Sequence, residues 1–321
     1  MARPTTPLLR RFPALSAIPR VTLGHGMTPV VALSGLSSQL WIKRDDLFAD
    51  PIGGNKVRAL EYLFGDLKKG EEVVTVGSMG STHALSVATY GARLGAHVHI
   101  ARWKQEMNPA AQRVSGGISR RTIEAPVFRN PAAAYAWAWL RRARGARWVA
   151  AGGSTPLGIL GHVNGGLELV EQINSGVIPE PRFVVVPLGT GGTAAGLALA
   201  FAIAQRPITV VGARVVPRIV GRRSRVERLA HKTAQLIEQT TKTKLPRVTR
   251  EHLLVEDETY GGAYGRETEA GRTASEKLRA AHRIVLDATY SAKAFSHALD
   301  LASRDRTLFW LTFDSRTLAS P

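Results

Sequence analysis

Short apolar or β-branched runs alternate with longer amphipathic stretches along most of the chain. Leu40–Ile42, Val73–Val76, Val98–Ile100, Trp148–Ala150, Phe183–Val186, Thr209–Val215, Ile284–Leu286 and Leu308–Leu311 have the make-up of buried strands. Between them, helical length and spacing predict helices over Lys56–Lys69, Thr82–Leu94, Ala132–Arg144, Leu157–Asn174, Thr193–Ala204, Val220–Thr240, Arg266–His282 and Ala292–Ser303. Strand followed by helix, repeated, predicts an α/β fold with mostly parallel sheets and crossover helices. No internal repeat or low-complexity linker divides the chain, so its parts must be found from motifs. In such open sheets ligands bind beyond the carboxyl ends of the strands, where strand order reverses. Glycine-rich turns that follow strands are therefore the first places to look for chemistry.

The sharpest motif is Gly53-Gly54-Asn55-Lys56, which follows Lys43-Arg44-Asp45-Asp46 and opens an amphipathic helix. Two glycines let the backbone turn tightly or approach a ligand, and Lys56 then sits at the positive end of a helix dipole. Desolvation and that dipole both lower an ammonium pKa, which a Schiff-base or general-base lysine requires. Taken alone, the tetrapeptide fits an ordinary exposed lysine better. A second turn, Gly189-Thr190-Gly191-Gly192-Thr193, joins an apolar run to a helix. Bare N–H groups at such a helix start cradle an anion. It has neither the Gly-Lys-Ser/Thr of a nucleotide-binding P-loop nor G-x-G-x-x-G spacing, and a plain β-α turn fits equally well. A third, Gly77-Ser78-Met79-Gly80-Ser81-Thr82-His83, again lies between strand and helix. Its hydroxyls either cap the helix or receive a carboxylate.

Composition narrows the classes. The chain has 321 residues, 44% hydrophobic and 21% charged, which excludes disorder, collagen and coiled coil. With no cysteine, it has no disulfide scaffold, thiolate metal site or thiol nucleophile. The longest apolar run, Thr193–Ala204, is shorter than the roughly 18 residues of a membrane span. Arg10-Arg11-Phe12 is followed by Pro13, Pro19 and Arg20 rather than an export core, so a cytoplasmic protein is expected. No histidine pair has metalloprotease spacing, and no metal is expected. The net charge of +18 admits nucleic-acid binding as a minority reading. Its one dense cluster, Arg218–Lys232, has helical spacing and no interleaved aromatics, which fits a solvated helix face better.

Taken in order, these motifs resemble the fold-type II pyridoxal-phosphate enzymes, and among them the D-cysteine desulfhydrase/1-aminocyclopropane-1-carboxylate deaminase family. The resemblance covers nearly the whole chain. It begins with Arg11-Phe12-Pro13, His25-Gly26-Met27-Thr28-Pro29 and Leu40-Trp41-Ile42-Lys43-Arg44-Asp45-Asp46-Leu47. Gly53-Gly54-Asn55-Lys56-Val57-Arg58 and Gly152-Gly153-Ser154-Thr155-Pro156-Leu157-Gly158 follow. The Gly189–Thr193 turn, Tyr264-Gly265 and Tyr290-Ser291-Ala292-Lys293-Ala294 complete it.

The resemblance implies two open, mostly parallel sheets with flanking helices, and a homodimer with pyridoxal 5'-phosphate between two domains. Residues 1–56 and 163–321 would form the large domain and 57–162 the small one. Lys56 would hold the cofactor through its ε-amino group and shuttle the Cα proton. Thr190, Gly191, Gly192 and Thr193 would bind the phosphate, with Asn55, Thr82 and Gly189 also against the cofactor. Ser81, Thr82 and His83 would receive the substrate carboxylate, Ser81 also serving in proton transfer. Tyr264 and Tyr290 match catalytic tyrosines on the substrate side of the ring.

Ser291 matches the position facing the pyridine nitrogen. There the deaminase branch has glutamate and the desulfhydrase branch a small hydroxyl residue. Thr312 matches a threonine of the desulfhydrase branch that is leucine in the deaminase. Three departures stand out: Thr82 replaces an asparagine, Ala59 a lysine, and Phe313-Asp314 a glycine pair. The expected activity is β-elimination from a small amino acid, D-cysteine foremost, giving pyruvate, sulfide and ammonia. A related deaminase or β-replacement enzyme is the second reading, and a basic polyanion-binding protein with little turnover the third.

Overall fold

The computed structural model describes residues 6–263 and 265–315. Its strands are β1 (Val30–Ala32), β2 (Leu40–Lys43), β3 (Glu72–Ser78), β4 (His97–Trp103), β5 (Val127–Phe128), β6 (Arg147–Val149), β7 (Phe183–Leu188), β8 (Thr209–Arg214), β9 (Leu253–Glu256) and β10 (Thr307–Trp310). Its α-helices are α1 (Pro7–Arg11), α2 (Asn55–Leu63), α3 (Thr82–Arg93), α4 (Pro109–Ser119), α5 (Pro131–Ala143), α6 (Pro156–Asn174), α7 (Gly192–Ile203), α8 (Arg223–Thr241), α9 (Glu269–His282) and α10 (Ser291–Leu301). Six strands form one sheet in the order β1-β2-β10-β7-β8-β9, and four form a second in the order β5-β4-β3-β6. Every pairing is parallel except β1 with β2. The expected α/β architecture with two mostly parallel sheets is therefore what the chain adopts.

Local chemistry explains the helix starts. Asn108, Asn130 and Thr155 each accept a backbone N–H of the first turn, and each is followed by proline, which suits the first helical position. α7 is apolar on every side, and all twelve of its residues are buried. A helix of that kind belongs in the interior, and α7 packs against both α6 and α8. Contact with α6 is close enough that a Cβ on Gly196 would lie 2.4 Å from Cβ of His162.

Some elements differ from expectation. Ile284–Leu286 forms no strand; Ile284 and Leu286 are instead buried beneath α9 and α10 with Leu278 and Phe295. Burial of a short run between two helices leaves the same apolar signature as a strand. β1, β5 and β9, unforeseen, are edge strands of two to four residues. The chain from Val216 to Gly221 is a turn, and α8 starts only at Arg223. α6 runs unbroken through residues 162 and 163, where the sequence places the change of domain.

A charged group fills the space between α2, α6 and β2. Lys43, Asp45, Arg58 and Glu168 are all at most 2% exposed. Lys43 Nζ donates to Thr28 O (2.7 Å), Glu168 Oε1 (2.5 Å) and Gln172 Oε1 (2.7 Å), which uses all three of its N–H bonds. Arg58 donates to Asp45 through Nε and Nη2 (2.9 and 2.6 Å) and to Glu168 through Nη1 (3.0 Å). Two positive and two negative charges thus balance out of water, as buried charges must.

Candidate active site

One cavity of about 550 Å³ opens where the carboxyl ends of both sheets converge. Its wall takes Ser78 from the end of β3 and Ala151 and Gly152 from just after β6. From the other sheet come Gly189 and Thr190 after β7, and Thr312 and Phe313 after β10. This is the crevice at strand ends that open parallel sheets use for ligands. Asn55, Lys56, Ser81, Thr82, His83 and Tyr290 line the same cavity. Six segments far apart in sequence therefore meet at Lys56.

The Lys56 turn is anchored at both sides. Gly54, at φ 119°, bridges to Phe313, and Asn55 N donates to Thr312 O at 3.0 Å. A Cβ on Gly54 would fall 2.4 Å from Thr312 O, so only glycine permits the approach. Asn55 Nδ2 donates to Thr193 Oγ1 at 2.7 Å, tying the lysine's helix to the glycine turn opposite. Lys56 faces the cavity and so keeps some exposure, but protein encloses it, and burial lowers its amine to about 8. The amine has no hydrogen-bond or ion-pair partner among the described residues.

Opposite lies the α3 start. Ser81 caps α3 by accepting from Ala84 N (3.2 Å). The His83 ring meets Thr75 Oγ1 at 3.2 Å, and that hydroxyl donates to Val149 O at 2.7 Å, leaving it to accept from His83 Nε2. Burial, reinforced by the Lys56 charge, lowers His83 to about 3. His162 of α6, which the sequence did not single out, is also driven well below its usual value, by burial first and then by Lys56 and Arg58. Lys56 is thus flanked by two neutral imidazoles.

At the Gly189–Thr193 turn, Gly191 is left-handed (φ 92°) and precedes α7 with no side-chain cap, so the first N–H groups of α7 carry no side-chain acceptor. Thr190 Oγ1 and Ser154 Oγ share a hydrogen bond of 2.6 Å, and Arg225 Nε donates to Thr190 O at 3.2 Å. Gly191, Gly192 and Thr193 stand behind the lining residues Gly189 and Thr190 rather than among them. Ser291 also lies behind the wall. It is fully buried, and its Oγ donates to Asp287 Oδ2 at 2.5 Å. The same carboxylate accepts from the N–H groups of Tyr290 (2.7 Å) and Ser291 (3.1 Å), and burial raises its pKa. Tyr264 lies outside the described residues.

The sequence reading missed Trp103 at the end of β4, Lys104 and Gln105 just after it, Tyr135 on α5, and Val216, Pro217 and Val220 after β8, all of which line the cavity. Apolar side chains carry no motif. Most of these nevertheless follow strand ends just as the glycine turns do, and inspection of every strand end would have found them.

An enclosed amine, unpartnered among the described residues and facing an anion cradle across the carboxyl ends of two mostly parallel sheets, is the arrangement of fold-type II pyridoxal-phosphate enzymes. The profile of the family described as "Pyridoxal-phosphate dependent enzyme" matches residues 21–312, and the chain belongs to that family. Within it, the chain falls in the group of 1-aminocyclopropane-1-carboxylate deaminases and D-cysteine desulfhydrases. It is 32% identical over 306 residues to a Pyrococcus furiosus protein named "Putative 1-aminocyclopropane-1-carboxylate deaminase", covering 90% of this chain and 89% of the relative. It is 30% identical over 308 residues to the D-cysteine desulfhydrase of Serratia proteamaculans, covering 91% of each. Among solved structures, one described as an ACC deaminase homologue superposes with a TM-score of 0.80 at 28% identity, covering 97% of this chain and 94% of the other.

The residues present fit pyridoxal phosphate. The cradle keeps its helix-start N–H groups free of side-chain caps, and a Cβ on Gly192 would close to 2.7 Å from Ser154 Oγ, so a side chain there would displace the hydroxyl that bonds Thr190.

Proposed function

We propose that the chain is a pyridoxal-phosphate lyase that removes the β-substituent of a small amino acid, with D-cysteine as lead substrate. Water and D-cysteine give pyruvate, sulfide and ammonia. The observation that carries this reading is the Lys56 amine: enclosed, without a partner among the described residues, and lowered to about 8. It faces a loop of hydroxyls and N–H groups on one side and an anion cradle on the other. When bound, pyridoxal phosphate supplies an aldehyde carbon for an amine and a conjugated ring that takes up the electron pair left at Cα.

The chain supplies the rest. Lys56 Nζ, neutral in a useful fraction near pH 8, takes the Cα proton. The backbone from Gly189 to Thr193 and the positive end of α7 hold the phosphate, with Asn55 steadying Thr193. Ser81, Thr82 and the N-terminus of α3 hold the substrate carboxylate and keep the Cα–H bond aligned for removal. With His83 and His162 both held neutral, Lys56 is the one strong base beside Cα among the described residues. Tyr290 and Thr312 complete the substrate side. Ser291 serves the ring nitrogen, and because its hydroxyl proton is committed to Asp287 it acts there as an acceptor.

The division into 1–56 with 163–321 and 57–162 belongs to the same proposal, as do the homodimer and a cytoplasmic site of action. The division is supported by the origin of the strands: one sheet draws on residues 30–43 and 183–310, the other on 72–149. Among the described residues no helix is long and apolar enough to cross a membrane.

The test is the visible absorption spectrum of the purified protein, followed by D-cysteine with pyruvate and sulfide assayed together. Cofactor absorbance with release of both products is the expected result, and Lys56→Ala should abolish both. Wild-type-like absorbance in that variant refutes the role of Lys56, and bound cofactor without product refutes D-cysteine as substrate. The relatedness to the Pyrococcus protein favours one second reading, ring opening of 1-aminocyclopropane-1-carboxylate. It is tested in the same assay by formation of 2-oxobutanoate and ammonia.

A further inference from the structure

The cavity has an outer wall that the reaction at Cα does not use. Trp103 at the end of β4, and Pro131 and Tyr135 on α5, form one side; Val216, Pro217 and Val220, after β8, form another. Apart from the Tyr135 hydroxyl and the indole N–H, these six side chains carry no polar atom, so they neither bind a phosphate nor move a proton at Cα. The rings of Trp103 and Tyr135 lie 6.3 Å apart between centroids, 22° from parallel, and Tyr135 meets Trp148 at 6.2 Å. Tyr135 is thus held between two indole rings, though it remains 44% exposed. No aspartate or glutamate lines the cavity among the described residues; its charged lining residues are Lys56 and Lys104. A free thiol on Cβ would leave this aromatic and aliphatic surface in water. An apolar group of ring size would cover it.

Resting on the lyase reading above, we propose that this wall receives the leaving group, and that the preferred substrates carry an uncharged, ring-bearing substituent on Cβ through sulfur. In the net reaction the Cα–H bond gives its proton to Lys56, and the Cβ–S bond breaks with its electron pair going to sulfur. The released thiolate takes up a proton as R–SH. Water completes conversion of the remaining three carbons to pyruvate and ammonia.

The test compares pyruvate release by the holoenzyme from D-cysteine, S-methyl-D-cysteine and S-benzyl-D-cysteine. The two thioethers have similar leaving groups and differ in the surface they present. Burying the phenyl group should favour S-benzyl over S-methyl by about tenfold in kcat/KM, expressed mainly in KM. The preference should fall toward one in Tyr135→Ala and in Val220→Ala. A ratio of one or below in the unsubstituted protein, or a ratio that neither substitution moves, overturns the proposal while leaving the lyase reading intact. If none of the three releases pyruvate, the elimination reading fails by itself. Calorimetric titration of the holoenzyme with 3-(benzylsulfanyl)propanoate and with propanoate then decides the wall. Tighter binding of the former by about tenfold, lost in Tyr135→Ala, supports the apolar wall, and equal affinity overturns it.

Discussion

Replacing Glu168 by glutamine removes one of the two negative charges in the buried group of Lys43, Arg58, Asp45 and Glu168 and leaves both cations in place. Glu168 accepts from Lys43 Nζ at 2.5 Å, from Arg58 Nη1 at 3.0 Å and from Thr28 N at 2.7 Å. The amide can still accept through its oxygen, but it carries no charge, and its NH₂ meets donors where the second carboxylate oxygen met Arg58. Breaking a buried pair in this way costs about 3–5 kcal/mol. At about 2.1 cal/mol/K per residue, 321 residues unfold with an entropy of about 0.7 kcal/mol/K, so Glu168→Gln should lower Tm by roughly 4–7 °C.

The deficit should also depend on pH. Burial lowers the Lys43 amine, and the Glu168 charge opposes that shift, so its loss lowers the amine further. A lysine whose folded pKa lies below its unfolded value binds more protons when unfolded, and stability rises with pH across that interval. The gap between variant and unsubstituted protein should therefore narrow as pH rises toward the ordinary lysine range. Differential scanning calorimetry of the holoenzyme measures both effects. A Tm loss below about 1 °C, or a gap that widens with pH, refutes the reasoning.

Two further outcomes follow from the same geometry. Gly161→Ala, in the middle of α6, would gain about 1 kcal/mol of helix propensity on an open surface. Here its Cβ would lie 2.0 Å from Arg58 O, so α2 must move, and thermal melts should show a lower Tm and gel filtration a lower cofactor content. Capture of pyridoxal phosphate by cofactor-free protein requires the neutral Lys56 amine; its rate should rise with pH through a midpoint of about 8, and stopped-flow absorbance showing a midpoint near 10.5 would contradict the effect of burial.

Much of this architecture is visible in the sequence because local rules and global fold agree. Gly189–Thr193 and Gly77–His83 read as strand, turn and helix start, and both turns reach the cavity. Ser81 reads as a cap and is one. Other features depend on distance. Nothing local pairs Arg58 with Glu168, 110 residues away, and Trp103 and Tyr135 show no motif because their contribution is surface. Ile284–Leu286 misled because burial and strand formation select the same side chains. Arg225 looked like part of a solvated cluster, yet it bonds to Thr190 O; helical spacing alone does not say which turn of a helix touches a neighbour.

The place of β10 orders events during synthesis. It lies between β2 and β7, and Thr312, just beyond it, fastens the Lys56 turn. The four-stranded sheet has all its strands once residue 149 emerges, but the six-stranded sheet lacks a central strand until residue 310. At about 5–20 residues per second, that interval of about 160 residues takes a ribosome roughly 8–32 s. Throughout it β2 presents an unpaired edge, joined by β7 once residue 188 has emerged, and the lysine that would capture the cofactor has no backbone to hold its turn. A nascent chain would therefore be exposed to edge-to-edge association for seconds while unable to use its cofactor as a folding ligand. Cofactor supplied during translation would not shorten that exposure, whereas a chaperone shielding the two edges would.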